Sequence, residues 1–331
     1  MEKTATDGTG VQIRPATPSD LRAVVSPATT YHIAIIGEPD ADESDFADTW
    51  NNPRTDLPSD VWVAVTGVGD PGPEGDVVAY EHCVDPAGNG RLQIAGFVHP
   101  GRQGLGLGIG TILLDRAVRR ARETANRLTA QTHRYVRTET FTKDHSAHAL
   151  MENAGLTPVR YFLLMTVQLR EALIGEAPPD GIRIASLMPH ESFAPVHAAC
   201  NEIFTDHWGN TPIPYDARVA LRTEGERFDR SLWFVARTLD GELAGISLCT
   251  SYPDMGWVDT LGVRRPFRGR RVAKALLKHS FAELYRRGRR RIGLGVDAVS
   301  LTGPTKLYES VGMNADVTVS VWELDLDSIW S

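Results

Sequence analysis

The sequence predicts an α/β fold made twice: two tandem domains, each a mixed central sheet flanked by helices. Two observations carry that prediction. One is an internal repeat, and the other is the same succession of strand-like and helix-like segments inside each copy.

The repeat is seen in four matched stretches. Ile13-Arg14-Pro15-Ala16 returns as Ile182-Arg183-Ile184-Ala185, and Trp62-Val63-Ala64-Val65 as Trp233-Phe234-Val235-Ala236. A glycine-rich stretch at 102–110 answers an arginine-rich one at 268–273. Leu150-Met151-Glu152-Asn153-Ala154-Gly155-Leu156 answers Leu307-Tyr308-Glu309-Ser310-Val311-Gly312-Met313. The order is the same in both halves, at an offset of roughly 157–171 residues. That is far longer than a solenoid period of about 20–50 residues, so the chain reads as two copies of one domain. Residues 171–181 hold Pro178-Pro179 and Gly181 and read as the linker, because these residues interrupt regular structure. The domains are expected at 1–172 and 180–331.

Each copy opens on a short strand (12–15; 182–185), followed by a helical region with Ser19 and Asp20 as caps in the first copy. Strands are expected at 60–66 and 76–83, and again at 231–238 and 242–250. Asp240-Gly241 makes a hairpin turn in the second copy, and Pro71-Gly72-Pro73 a longer loop in the first. A strand at 91–99 or 255–264 then runs into the glycine- or arginine-rich stretch. A helix follows: Ile109, Ile112, Leu113 and Ala117 recur at helical spacing, as do Val272, Leu276, Ser280 and Leu284. Each copy ends with a strand (128–139; 293–298), a short helix and a last strand (160–169; 316–326).

Composition excludes several classes. The 331 residues are 42% hydrophobic and 23% charged, with a formal net charge of −7, which is ordinary for a folded globular chain and wrong for a strongly basic nucleic-acid binder. No apolar run reaches the ~18–20 residues of a membrane helix. Residues 1–20 are polar and threonine-rich, unlike a secretory signal, so a cytoplasmic location is expected. Three cysteines do not make a disulfide framework. Cys83 and Cys249 fall at equivalent strand positions and read as packed core. The ten histidines show no metal-ligand spacing, so no metal is expected.

The stretch Gln103-Gly104-Leu105-Gly106-Leu107-Gly108 lies between a strand and a helix. Glycines let backbone N–H groups converge, and the helix N-terminus adds positive potential. Such a place holds a pyrophosphate. A P-loop would need a Lys-Ser or Lys-Thr pair, and Ile109-Gly110-Thr111 has no lysine; the G-x-G-x-x-G spacing of a dinucleotide fold also fails. What remains is Q/R-x-x-G-x-G/A, which resembles the coenzyme-A pyrophosphate motif of the GNAT superfamily of N-acetyltransferases. The second copy reads Arg268-Gly269-Arg270-Arg271-Val272-Ala273, with Arg271 where glycine is usual. Residues 295–313 resemble that family's late strand, helix and tyrosine, with Ser300 where an Asn often stands. The resemblance covers both halves, and the tandem arrangement is similar to that of mycothiol synthase and its actinobacterial relatives.

The resemblance implies acetyl-CoA as cofactor. It places Leu261, Gly262 and Val263, with Gly96, Phe97 and Val98 in the first copy, on the strand that holds the pantetheine arm and polarises the thioester. It places Tyr308 as the acid that meets the leaving thiolate, a role suited to a phenol that stays protonated at neutral pH; the alternative is a tyrosine that only packs. Asp259 is expected on the face of Leu261 and Val263 by strand alternation, either as a base through water or as a structural carboxylate. Glu202, Asp206, His207 and Trp208 lie where the family closes over the acceptor. Met151 replaces the tyrosine in the first copy and donates no useful proton. Arg271 costs the second copy only if its position needs a positive φ. The second copy is therefore expected to be catalytic and the first degenerate, binding the coenzyme or lining the substrate site. The function expected is direct transfer of an acetyl group to a primary amine of a small molecule, by a monomer or homodimer. The alternative is a non-catalytic acyl-CoA-binding sensor or scaffold.

Overall fold

The computed structural model describes residues 10–39, 41–66, 76–103, 107–128, 133–171, 177–205, 207–209, 215, 229–299 and 305–327. The chain forms two compact units: Met1–Tyr161 with Thr318–Ser331, and Phe162–Val317.

In the first unit, β1 (Val11–Pro15), β2 (Val61–Thr66), β3 (Val77–Val84), β4 (Arg91–Val98), β5 (Tyr135–Phe141) and β12 (Asn314–Asp325) neighbour one another in that order. Every described pairing is antiparallel except β4 with β5. Two faces follow from strand alternation. On one, the helix α5 (Ile109–Arg127) lays Leu113, Leu114, Ala117 and Ala121 against Ala79, Cys83 and Ile94. On the other, Val61, Val63, Tyr80 and Phe97 pack beneath α1 (Val25–Ile36) and α2 (Glu43–Trp50), which supplies Trp50. Ile112, expected on the buried stripe of α5, is 43% exposed; Leu114 holds the inward position instead. Thr17, rather than Ser19 or Asp20, begins the first short helix, and Asp20 accepts from the backbone N–H of Thr17 at 2.8 Å.

The second unit repeats this plan, with β7 (Ile182–Ser186), β8 (Trp233–Thr238), β9 (Leu243–Ser251), β10 (Met255–Val263), β11 (Arg291–Asp297) and β6 (Thr157–Gln168) in that order. Here too only one described pairing, β10 with β11, is parallel. The helix α8 (Val272–Arg286) buries Val272, Leu276, Ser280 and Leu284, as the helical spacing predicts, on the face that holds Cys249 and Val263. The helix α7 (Ala194–Ile203) covers the opposite face with Val196, Cys200 and Ile203, against Ile246 and Leu248. Gly241 turns the β8–β9 hairpin at φ 93°.

The division expected at 1–172 and 180–331 misses one feature. The last strand of each copy completes the sheet of the other unit: Phe162 to Gln168 pair with Asp297 to Arg291, and Val319 to Asp325 pair with Phe141 to Tyr135. Alternation along a strand fixes which side chains face inward but not which strand lies beside it. The strand expected from 128 begins at Tyr135. The Pro71-Gly72-Pro73 loop and residues 172–176 of the linker fall outside the described residues.

Candidate active site

In each unit the one parallel pair among the described strands parts. β10 pairs with β11 only from Met255 to Trp257, although it stays paired with β9 as far as Val263. β4 pairs with β5 only from Arg91 to Gln93, although it stays paired with β3 to Val98. Beyond the fork, the inner side of β10 and β4 has no strand opposite it among the described residues. A polar, extended ligand can pair there as a further strand would.

The helix after each fork begins alike. Arg271 precedes α8 at φ 62°, ψ 13°, and Gly108 precedes α5 at φ 64°, ψ 17°. Arg271 is the one non-glycine residue with positive φ among the described residues. Its position does need the left-handed conformation, which for a residue with a Cβ costs about 1–3 kcal/mol. Strain of this kind is kept where the side chain has work to do, and here the side chain brings a cation to the positive end of a helix dipole. Arg265, Arg268 and Arg270 are exposed beside it. Arg268 Nε donates to the carbonyl of Val263 at 3.1 Å, and the Arg270 guanidinium lies over Phe267. A Cβ built on Gly269 would meet nothing within 4 Å, so the approach is open. Val272 is buried under the turn and Ala273 packs against the core. The cluster and the fork fit a phosphate-bearing acyl thioester: cations and helix N–H groups for the phosphates, and strand backbone with no described strand opposite it for an amide arm.

The structure also corrects the alignment of the two stretches. Val98 is eleven positions before Ile109 and Val263 nine before Val272, so the first connection is two residues longer. Gly108, not Gly106, is therefore the counterpart of Arg271. Leu107 packs on the core and Gly108 is exposed. Gly104, Leu105, Gly106 and Ser300 lie outside the described residues, as does the Gln103 side chain.

Tyr308 lies on the short helix α9 (Thr305–Glu309), 8% exposed, within the core that contains Val263, Val272 and Leu276. Burial pushes its phenol up to about 12, so it stays protonated across the whole working range. No described residue hydrogen-bonds its hydroxyl. Met151 is the buried counterpart in the first unit, on α6 (His145–Asn153).

Asp259 is a correction. A β-bulge in β10 falls between Val258 and Thr260, and the extra residue breaks the alternation. Asp259 therefore does not share the face of Leu261 and Val263. Its exposed carboxylate accepts from Thr250 Oγ1 at 2.8 Å, and by alternation Thr250 is on the α7 face with Leu248. Gly262 is on that face too: a Cβ there would come within 2.5 Å of Ile203 Cγ2, so α7 sits directly on the strand. Of the acceptor-side residues, Glu202 is engaged by Arg264 at 2.7 Å. His207 is exposed and meets the Phe204 ring edge-on, Trp208 is half-buried, and Asp206 lies outside the described residues.

In the first unit, Phe97 stacks with Tyr31 and Tyr80, and Val98 approaches the first turn of α5 at Gly110. Trp50 Nε1 donates to Tyr80 Oη at 3.1 Å, and Tyr80 Oη lies 2.8 Å from His82 Nδ1. Burial pushes His82 down to about 4, which keeps it neutral, and pushes its neighbour Glu81 up to about 8. The sequence reading missed this pair. The signal was present: two ionisable residues inside the apolar run Val77–Val84. Cys83 and Cys249 are buried and burial raises both thiols, that of Cys249 to about 12, which suits packed core rather than nucleophiles.

Comparison with known proteins agrees with this geometry. Residues 197–313 match the model of the Acetyltransferase (GNAT) family. A GCN5-related N-acetyltransferase from Sphaerobacter thermophilus superposes with a TM-score of 0.82 at 28% identity, covering 98% of each chain. A tandem GNAT protein from the clavulanic acid biosynthesis pathway gives 0.71 at 15% identity, over 97% of this chain and 100% of that one. The N-myristoyltransferase of Saccharomyces cerevisiae, solved with myristoyl-CoA, gives 0.61 at 11% identity, over 98% and 81%. A search of curated protein sequences gives no match. The fold is the tandem GNAT fold of these structures, and residues 197–313, within the second unit, are the part that matches the GNAT family model. Among the described residues no helix is long and apolar enough to cross a membrane.

Proposed function

We infer that the second unit is an N-acyltransferase that moves an acetyl group from acetyl-CoA to the primary amine of a small molecule. The observation that carries this reading is the fork between β10 and β11, flanked by the arginine-rich N-terminus of α8 and by a buried, protonated Tyr308. Arg268, Arg270, Arg271 and the first N–H groups of α8 would hold the phosphates. The backbone of Leu261 to Val263 would hold the pantetheine arm and stabilise the developing oxyanion. The amine attacks the thioester carbon, the C–N bond forms and the C–S bond breaks. Tyr308 gives its proton to the departing sulfur. The amine proton leaves toward Asp259, through water, on the α7 side of the sheet. Glu202, His207 and Trp208 border that side and would close over the acceptor.

A non-catalytic acyl-CoA sensor is the second reading, favoured by Met151 in the first unit. The two separate in one assay: release of free thiol from acetyl-CoA in the presence of a panel of amines. Cysteinyl glycosides and aminoglycosides, both amine-bearing small molecules, are the first to include. The transferase reading expects amine-dependent release with a single acetylated product by mass spectrometry. Tight acetyl-CoA binding with no release across the panel would favour the sensor.

A further inference from the structure

On the α7 face of the second unit, the sheet carries a tryptophan beside two glycines. Gly256 is aimed at α8, where a Cβ would meet Leu284, so the next residue, Trp257, turns to the α7 face. Trp257 is the last residue of β10 paired with β11, and it stands beside Gly293. Its six-membered ring lies over that glycine, with Cζ3 at 2.5 Å from where a Cβ would be. Gly295, two residues on, shares the face and is exposed although β11 lies between β10 and β6. Among the described residues a Cβ there would meet only Leu164 Cδ2, at 3.8 Å. Glycine weakens the interior of a strand and marks places where something else approaches the backbone closely. The first unit fills the same positions with side chains. Gln93 stands where Trp257 does, Arg137 where Gly293 does and Glu139 where Gly295 does, and Arg137 is tied to Glu323 at 2.7 Å.

Trp257 is not placed like a core tryptophan. Trp322 is 2% exposed and its indole donates to Ser320. Trp257 is half-buried, its N–H donates to no described residue, and no described ring or cation stacks on it. A carboxylate stands close by. Thr250 pairs with Trp257 across β9 and β10, and its hydroxyl donates to Asp259 at 2.8 Å. Side chains directly opposite one another are about 4.5–5.5 Å apart at Cβ, so the indole and the Thr250–Asp259 pair are neighbours on one face. The other flank offers no polar group without a partner. Leu164 lies beside Gly295, the Thr166 hydroxyl beside Gly293 donates to Asp316, and Asp297 accepts from the backbone N–H of Val299 at 3.0 Å.

We propose that Trp257 is the platform that selects the acceptor, and that the acceptor is an aromatic primary amine, its ring on the indole above Gly295 and its amine toward Asp259. This rests on the reading that the second unit transfers an acyl group to an amine. Two aromatic rings gain more on contact than their buried area alone provides, and a carboxylate complements an ammonium. The closeness of Asp259 to the indole calls for a spacer of one or two carbons between ring and amine. A saccharide fits less well. Its ring carries hydroxyls that need partners once they leave water, and around the glycines the polar side chains are already bonded to the protein. An aliphatic amine would leave the indole face with nothing stacked on it.

The test is kcat and KM of the full chain for phenylethylamine, cyclohexylethylamine and glucosamine at saturating acetyl-CoA. The first two differ only in whether the ring is flat. The expected result is a kcat/KM for phenylethylamine about tenfold above either of the others. Trp257→Leu should raise the KM for phenylethylamine about tenfold while leaving the KM values for cyclohexylethylamine and acetyl-CoA where they are, and Trp257→Phe should restore most of the loss. Gly295→Val supplies a variant that folds: the Cβ has room and a strand favours a β-branched residue. Its melting temperature should hold while the preference for phenylethylamine disappears, because the valine takes the place of the ring. Equal kcat/KM for the flat and puckered rings, a preference for glucosamine, or an unchanged KM for phenylethylamine in Trp257→Leu overturns the aromatic acceptor and leaves the transferase reading standing. No transfer to any of the amines, these or the glycosides, overturns the transferase reading and this proposal with it.

Discussion

Tyr308→Phe should lower turnover by about a hundredfold or more while leaving the melting temperature where it is. General acid catalysis contributes about 10²–10⁴-fold. The ring stays buried in the variant, and the hydroxyl removed has no hydrogen-bond partner among the described residues, so folding loses little. The effect should fall on kcat rather than on KM, because the proton is needed only as the sulfur leaves. With the phenol held near 12 by burial, the wild-type rate should show no alkaline decline from this group below about pH 10. Unchanged turnover would mean that Tyr308 only packs.

Trp322→Ala should be the most destabilising of the changes considered, and in an unexpected place. Trp322 lies in the second half of the sequence but is 2% exposed in the core of the first unit, with its indole donating to Ser320 Oγ at 2.9 Å. Removing a buried tryptophan costs about 3–5 kcal/mol, a large part of the roughly 5–15 kcal/mol that holds a domain folded. Hydrogen exchange should show the lost protection in 61–151, on β2 to β5 and α5, and not in 182–313. Loss confined to 182–313 would mean that each copy keeps its own last strand.

Much of the fold was legible because it rests on periodicity. The repeat fixed the succession of elements, and Val272, Leu276, Ser280 and Leu284 turn inward as their spacing requires. That a helix begins after each glycine- or arginine-rich stretch was legible from the apolar stripe that follows it. What was not legible depends on neighbours or on single-residue insertions. β6 and β12 carry interchangeable alternation, so nothing local to either reveals that they exchange sheets. The bulge at Asp259 reverses a face by one residue, and alternation counted along a strand assumes that none exists. The two extra residues before α5 shifted the glycine comparison, so the conformational equivalence of Gly108 and Arg271 is seen only in their dihedral angles. Glu81 was overlooked because one acid in a strand resembles a solvent-facing residue; only the fold shows it buried, opposite Gly96.

The central claim, that the arginine-rich start of α8 presents an acyl-CoA to Tyr308, is tested most directly by Arg271→Asp. Aspartate is a favourable residue at a helix N-cap and tolerates the left-handed conformation better than arginine, so the melting temperature should hold or rise. At the same time a carboxylate replaces the cation where the phosphates belong. The measurement is acetyl-CoA affinity of the full chain with turnover beside it. The account predicts at least a tenfold loss in the affinity of the second unit, with turnover falling at subsaturating acetyl-CoA, in a protein at least as stable as wild type. Unaltered affinity and turnover in that stable variant would contradict it.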